Sequence, residues 1–168
     1  MAVLVEQDGR DRGTDGQDTD KAVKRIEGVS EQAVLTNDLT GRIIGACFDV
    51  SKELGSGFVE SVYESALMVA LIKRGIKAQR QVPLKVYYQR VIVGEFLADL
   101  LVEDQVVVEL KCVDCLLSEH QAQLINYLNA TGLDIGLLIN FGRPRVQHKR
   151  CFRSADHQLE QFIASHKP

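Results

Sequence analysis

Two carboxylates and a lysine stand close together in the stretch 91–112, in an order that suits metal-assisted hydrolysis. They are Asp99 in one apolar run, and Glu109 and Lys111 in the next. Two carboxylates supplemented by water suit Mg²⁺, or Mn²⁺ in its place, because these hard cations prefer oxygen ligands. Lys111 could orient or deprotonate a water beside such an ion, or stabilise developing negative charge. The spacing therefore predicts a metal site at Asp99 and Glu109.

The two apolar runs must form strands that bring these residues together. Both are rich in β-favouring residues, and the polar triplet 103–105 between them predicts a short hairpin loop. If residue 102 pairs with residue 106, the same register places Asp99 opposite Glu109, while the even positions 92–102 form an uncharged face. Opposed carboxylates repel each other, which favours a bound cation. An edge hairpin whose solvated face carries these residues is the alternative interpretation.

Length, composition and charge restrict the kind of protein. The chain has 168 residues, of which 45% are hydrophobic and 26% charged, as expected of one soluble domain. Residues 1–35 have little apolar periodicity and are predicted to be a disordered acidic segment, which leaves 36–168 as a single domain. The sequence contains neither an apolar run of about 20 residues nor a signal peptide, so we expect a cytoplasmic protein without a membrane partner.

Two helices are predicted before the first strand. One begins with Thr40 as N-cap and ends at Gly55, and the next runs from about Val59 to Gly75. Glu60 heads the buried stripe of the second helix, which continues through Tyr63, Leu67 and Leu71. A glutamate in a first turn is also favoured by the helix dipole, so this position alone does not establish a functional role.

The remaining pattern alternates strands and helices, which predicts an α/β fold. Residues 79–88 form a strand that Pro83 assigns to an edge or a bulge. Ser118 and Gln121 suggest a capping box for a helix that ends before Gly132. On that helix Gln123 and Tyr127 share one face, and a surface pair at the rim of the core is the ordinary explanation. Residues 134–141 predict a strand covered on both faces, and residues 156–166 a terminal helix.

A basic segment follows the buried strand. Residues 143–153 contain no acid. They are a candidate phosphate-binding surface, although a solvated strand with a basic outer face is the default interpretation. The residues of interest are Arg143, Arg145, Lys149 and Arg150.

Taken together, these motifs resemble the PD-(D/E)XK nuclease superfamily, and most of all its QxxxY-bearing, RecB-like branch. The segment Gly57–Tyr63, GFVESVY, is similar to the signature of the bacterial GxxExxY protein family, and the resemblance extends over about residues 39–153. It implies a restriction-endonuclease-like core, with a mixed sheet of about four to five strands flanked by helices.

The resemblance also implies an activity and roles for individual residues. It implies a Mg²⁺-dependent nuclease that hydrolyses phosphodiester bonds, in DNA first of all, in repair or defence. Asp99 and Glu109 would bind the metal with help from Glu60, Lys111 would act on the attacking water, and Gln123 and Tyr127 would position the substrate. A catalytically silent module of the same fold that binds nucleic acid or protein is the alternative, and a homo-oligomer is left open.

Overall fold

The computed structural model describes the backbone of residues 31–153 and the side chains of residues 37–153. Of the segment 1–35 that was predicted to be disordered, residues 1–30 lie outside the described residues, as does the predicted helix at 156–166. Residues 31–35 belong to a helix, so the prediction of disorder is wrong for them. Within residues 31–153, no helix is both long and apolar enough to cross a membrane. The elements in chain order are α1 (Glu31–Leu54), α2 (Glu60–Lys73), β1 (Ala78–Tyr88), β2 (Val91–Val102), β3 (Val106–Lys111), α3 (Ser118–Thr131), β4 (Ile135–Asn140) and β5 (Gln147–Phe152).

The five strands form one mixed sheet in the order β1-β2-β3-β4-β5. The antiparallel β2–β3 hairpin pairs Val102 with Val106, which confirms the predicted loop and the register as far as the pair Leu100 and Val108. The ladder ends there, so the predicted pairing of Asp99 with Glu109 is not part of it. Helix α3 connects β3 to β4, the single parallel pair of this sheet, and the other neighbours are antiparallel. Strand β1, with Pro83, lies at an edge, where a missing N–H breaks no inner ladder. The predicted α/β fold with a restriction-endonuclease-like core is thus confirmed.

Helices cover both faces of the sheet and create two cores. The α1–α2 core joins apolar residues of α1 and α2, such as Ile43 and Leu67, to one face. The α3 core joins Leu124 and Tyr127 of α3 to the other face. All six residues of β4 are buried, with Leu137 in the first core and Leu138 in the second, as predicted for a strand covered on both faces.

Helix α1 begins earlier than the sequence suggested. It starts at Glu31, so Thr40 lies inside the helix and the predicted N-cap at this residue is wrong. Thr40 is fully buried and its hydroxyl donates to the Asn37 carbonyl at 3.0 Å. A threonine hydroxyl can satisfy itself on the preceding helical turn, so a residue suited to a cap is also tolerated within a helix.

The start of α3 also differs from its prediction. The helix begins at Ser118 and Leu117 is the N-cap residue, so the expected capping box of Ser118 and Gln121 does not form. Because the N-cap lies one residue earlier, His120 occupies the third helical position, and its Nδ1 accepts the Leu117 N–H at 3.1 Å. The other end agrees with the prediction, because Gly132 closes the helix with a φ of 74°.

The side-chain alternation of β1 and of β2 is interrupted at one shared position, so that the side chains beyond it point to the other face of the sheet. Ala98 packs in the α3 core, whereas Leu100 packs in the α1–α2 core, although both are even-numbered. The ladder pairs Arg80 with Leu100 and Val82 with Ala98 but skips Gln81 and Asp99 between them, and Gln81 has a φ of 49°. The prediction of one continuous uncharged face over residues 92–102 is therefore wrong, because a backbone irregularity turns the strands over beside Asp99.

Candidate active site

Asp99 lies where β2 parts from β3. The ladder between these strands runs from the pair Val102 and Val106 to the pair Leu100 and Val108. One residue further, Asp99 Oδ2 accepts the backbone N–H of Leu110 at 2.7 Å. The carboxylate of β2 thus accepts the N–H that a backbone carbonyl of β2 would accept in a regular ladder. The carboxylate is thereby fixed against the segment of β3 that carries Glu109 and Lys111.

Glu109 and Lys111 form a largely buried ion pair. Lys111 Nζ lies 2.8 Å from Glu109 Oε1, and the side chains are 15% and 4% exposed, respectively. The second oxygen, Glu109 Oε2, is buried and has no hydrogen-bond partner among residues 37–153. A buried carboxylate oxygen without a donor is costly in an apo protein and free to accept a proton or a cation.

The surroundings disfavour the charged form of both predicted metal ligands. Burial raises the pKa of Glu109 to about 7, against the lowering effect of its hydrogen bond to Lys111, and the charges of Asp99 and Glu60 raise it further. Burial also raises the pKa of Asp99, opposed by the Leu110 N–H and Lys111 and assisted by the charges of Glu64 and Glu60. An excess of acids over cations surrounds this position, as a site for a divalent cation requires.

Lys111 is held in its protonated form. Burial alone would lower the pKa of Lys111, but its hydrogen bond to Glu109 and the charges of Glu109, Glu60 and Asp99 outweigh that effect and raise it. In this state the lysine is a hydrogen-bond donor and a positive charge, which suits stabilisation of an anion better than removal of a proton.

Glu60 reaches from the first turn of α2 to the end of β3. Its Oε1 accepts the backbone N–H of Cys112 at 3.1 Å. This contact places the helix terminus beside the strand that carries Glu109 and Lys111. Burial and the charge of Glu60 raise the pKa of the Cys112 thiol to about 11, which keeps it in the neutral form.

The conformation of Gly57 and the contacts of Tyr63 explain why these residue types flank Glu60. Tyr63 is fully buried, stacks on Phe141 and donates its hydroxyl to the Gly55 carbonyl at 2.9 Å. The same hydroxyl accepts the Phe58 N–H at 3.3 Å. Gly57 has a φ of 112°, which a residue with a side chain rarely adopts. Gly57 and Tyr63 therefore shape the turn that delivers Glu60 to β3.

Glu64 is a buried residue of this region that was not among the predicted site residues. It accepts hydrogen bonds from Arg80 Nε at 2.6 Å and from Gln81 Nε2 at 2.9 Å. These contacts hold the irregular position of β1 that faces Asp99. Its spacing of four residues from Glu60, on the same helix face, was the available signal.

Gln123 and Tyr127 are paired on α3 as their spacing predicted. Gln123 Nε2 donates to the Tyr127 hydroxyl at 2.9 Å, and Tyr127 is buried in the α3 core. The ring of Tyr127 lies 5.8 Å from that of Phe96. Val107 belongs to the same core, and Glu109 follows it by two residues on β3, so the pair lies on the sheet face of Glu109.

The structure does not bring the four basic candidates onto one surface. Lys149 Nζ donates to Gln121 Oε1 of α3 at 2.7 Å, whereas Arg150 Nε donates to Thr40 of α1 at 3.0 Å. Neighbouring residues of a strand point to opposite faces, so β5 divides its cations between the two sides of the sheet. Arg143 and Arg145 are exposed in the loop between β4 and β5.

The donor set fits a divalent cation that retains much of its water. Glu109 Oε2 is available, and Asp99 keeps one oxygen besides the one that binds Leu110. Among residues 37–153, no three His, Cys, Asp or Glu side chains form a group that could hold an ion. Two carboxylates completed by water match the preference of Mg²⁺, which dehydrates reluctantly.

Comparison with solved structures finds chains of limited similarity. One is the structure titled SSO0001, with 18% identity and a TM-score of 0.45. The match covers 62% of this chain and 56% of the chain of SSO0001. Another is an alkaline exonuclease (LHK-Exo) from Laribacter hongkongensis, with 18% identity, a TM-score of 0.40, and coverage of 56% and 59%. The chain thus spans little more than half the length of these proteins.

Comparison of the sequence gives different results for individual proteins and for family models. No curated protein matches the chain. A family model does match it, over residues 37–151, and this range includes every candidate site residue from Glu60 to Arg150. The matched range is more than half of the 168 residues. The chain therefore belongs to the PD-(D/E)XK nuclease superfamily.

Proposed function

We propose that the protein is a metal-dependent nuclease that hydrolyses phosphodiester bonds, with DNA as its first substrate. The observation that carries this proposal is the buried Glu109 carboxylate, which binds Lys111 through one oxygen, while the other oxygen has no partner in the described part of the chain. A purely structural ion pair would gain from having both oxygens satisfied. The superfamily membership supports the same activity.

Asp99 and Glu109 would hold Mg²⁺, with Mn²⁺ as a substitute and Glu60 in support. When bound, such an ion polarises the scissile phosphate and lowers the pKa of a coordinated water. Glu109 must be ionised to act as a ligand, and its pKa of about 7 means that protons compete with metal near neutrality.

The remaining residues would act on the substrate. Lys111, protonated and adjacent to Glu109, would stabilise the negative charge that develops on the phosphate and orient the attacking water. Gln123 and Tyr127 would position the nucleic acid on the α3 side of the sheet. Lys149 lies on that side and could contact the backbone there, whereas Arg143, Arg145 and Arg150 would serve more distant phosphates.

A finer assignment, to the GxxExxY family of the RecB-like branch, is also part of this proposal. It rests on Gly57, Glu60 and Tyr63, whose spacing matches the signature. Their contacts supply a physical reason for it, because the glycine and tyrosine shape the turn and the glutamate reaches β3. A cytoplasmic role in repair or defence against foreign DNA is the setting that we propose.

Cleavage assays test the activity directly. Labelled single- and double-stranded DNA and RNA would be incubated with pure protein in Mg²⁺, Mn²⁺ or EDTA, with Asp99→Asn as the matched control. We expect cleavage of DNA with either metal, and none in EDTA or with the variant. Binding without metal-dependent cleavage of any substrate would instead indicate the silent binding module.

A further inference from the structure

A cavity of about 620 Å³ lies between α3 and the outer part of the β1–β2 hairpin. We call it the hairpin pocket. Its lining includes three aromatic rings and three side-chain amides, and its volume is typical of a small-molecule site. The rings belong to Tyr87, Phe96 and Tyr127, and the amides to Gln123, Asn126 and Asn129.

The chemistry of this lining suits a nucleobase. Tyr87 is 60% exposed and Phe96 is 48% exposed, so each ring offers surface on which a base can stack. Side-chain amides donate and accept hydrogen bonds, as the edges of bases require. Lys85 is the one charged residue among the described residues that line the pocket, and Glu95 of β2 is its cross-strand partner. The rings and the amides are therefore the features that favour a nucleobase.

The pocket lies on the side of the sheet where the candidate catalytic residues are. Gln123 and Tyr127 belong to its wall, and Tyr127 lies in the same core as Ala98, the residue before Asp99. Glu109 points to the same face through its alternation with Val107. A nucleotide whose base lies in the pocket would therefore belong to the stretch of nucleic acid that runs past Asp99 and Glu109.

We infer that the hairpin pocket binds an unstacked nucleobase, so that the substrate is nucleic acid with single-stranded nucleotides beside the scissile bond. Bases within a duplex are stacked and paired, and they could enter only after unpairing at a cost. A single-stranded end or gap supplies a free base without that cost. This inference rests on the proposed nuclease function for its substrate, but it can be tested by binding alone.

Two neighbouring tyrosines provide a matched pair of variants. Tyr87 lines the pocket, whereas Tyr88 does not, although the two have nearly equal exposures of 60% and 65%. Fluorescence anisotropy of a single-stranded DNA oligonucleotide in EDTA would measure affinity without cleavage. We expect Tyr87→Ala to weaken binding on the order of tenfold, as loss of a stacked base predicts, and Tyr88→Ala to leave it unchanged.

The nucleic acid can be varied in parallel. A blunt duplex should bind wild type and Tyr87→Ala equally, because its bases are not available for stacking. An oligonucleotide with abasic positions throughout the bound segment should also bind the two proteins equally. Asn126→Asp, at an exposed position of the same wall, provides a second variant that should weaken single-strand binding, because it adds negative charge.

The outcomes separate this inference from the nuclease assignment. Equal weakening of single-stranded, abasic and duplex binding by Tyr87→Ala would overturn the base pocket, and so would equal effects of Tyr87→Ala and Tyr88→Ala. Either result would leave metal-dependent cleavage intact. If no substrate is cleaved but the selective loss with Tyr87→Ala is seen, the base pocket stands and the nuclease function fails. Melting curves of each variant would confirm that it is folded.

Discussion

Lys111 Nζ lies 2.8 Å from one oxygen of Glu109, while the other oxygen of the same carboxylate is buried and meets no donor from the residues that the structure describes. The ion pair thus satisfies half of a buried carboxylate. The unsatisfied half explains why burial and neighbouring acids can raise the pKa of Glu109 to about 7 despite the adjacent cation. Stability and metal binding should both depend on pH near this value.

The metal-free protein should lose stability between about pH 4.5 and pH 7 because of Glu109. The folded state keeps its proton up to about pH 7, whereas an ordinary glutamate releases it near 4.5, so the folded state binds more protons in this window. The contribution of Glu109 to the free energy of unfolding is therefore fully present below about pH 4.5 and is lost as the pH rises to about 7. In Glu109→Gln this dependence should be absent.

Denaturant unfolding in EDTA at several pH values would measure the effect. Relative to Glu109→Gln, the wild type should lose about 3 kcal/mol of unfolding free energy across the window. A difference between the two proteins that does not change with pH would show that Glu109 titrates normally.

Asp99→Asn should separate metal ligation from folding. The asparagine carbonyl can still accept the Leu110 N–H, while the charge that repels Glu109 disappears. Metal-free stability should hold or rise slightly, and cleavage and the Mg²⁺-induced rise in melting temperature should disappear together. A metal-free loss of more than about 2 kcal/mol would show that the carboxylate is a structural acceptor.

Lys111→Met should abolish cleavage without abolishing metal binding. Loss of the cation raises the pKa of Glu109, so Mg²⁺ affinity should fall at pH 7 and recover at pH 9. Cleavage should drop by about 100-fold or more at both values, because no charge remains to stabilise the phosphate. Lys77→Met, at an exposed position, is the control and should resemble wild type. Cleavage by Lys111→Met at the wild-type rate would remove the lysine from the mechanism.

Glu64→Ala should be destabilising and should also weaken the metal site. Removing the buried carboxylate leaves Arg80 and Gln81 without their acceptor, at a cost of about 2 kcal/mol after allowing for the partly exposed arginine. Because Gln81 lies across from Asp99, Mg²⁺ affinity should fall too. Glu53→Ala, an exposed carboxylate of α1, should change neither quantity. Destabilisation with unchanged Mg²⁺ affinity would limit Glu64 to a structural role.

Local pattern was sufficient for the elements and for the hairpin. Period-two runs on either side of a three-residue polar loop define the pairing of Val102 with Val106, because a slip of one residue would bury charge. The same reasoning placed Pro83 in an edge strand and a fully buried strand at β4. Helical spacing likewise placed Gln123 next to Tyr127.

Contacts between distant segments decided the rest. Glu64 of α2 accepts a hydrogen bond from Gln81 where β1 and β2 change faces, and Glu60 of the same helix accepts the Cys112 N–H at the end of β3. In the sequence the basic residues of 143–153 form one continuous segment. On β5, however, Lys149 contacts α3 whereas Arg150 contacts α1. The sequence determined which residues could do chemistry and which strands carry them. Only the tertiary structure decided which of them meet, because burial, pKa and hydrogen-bond partners arise from packing between elements far apart in the chain.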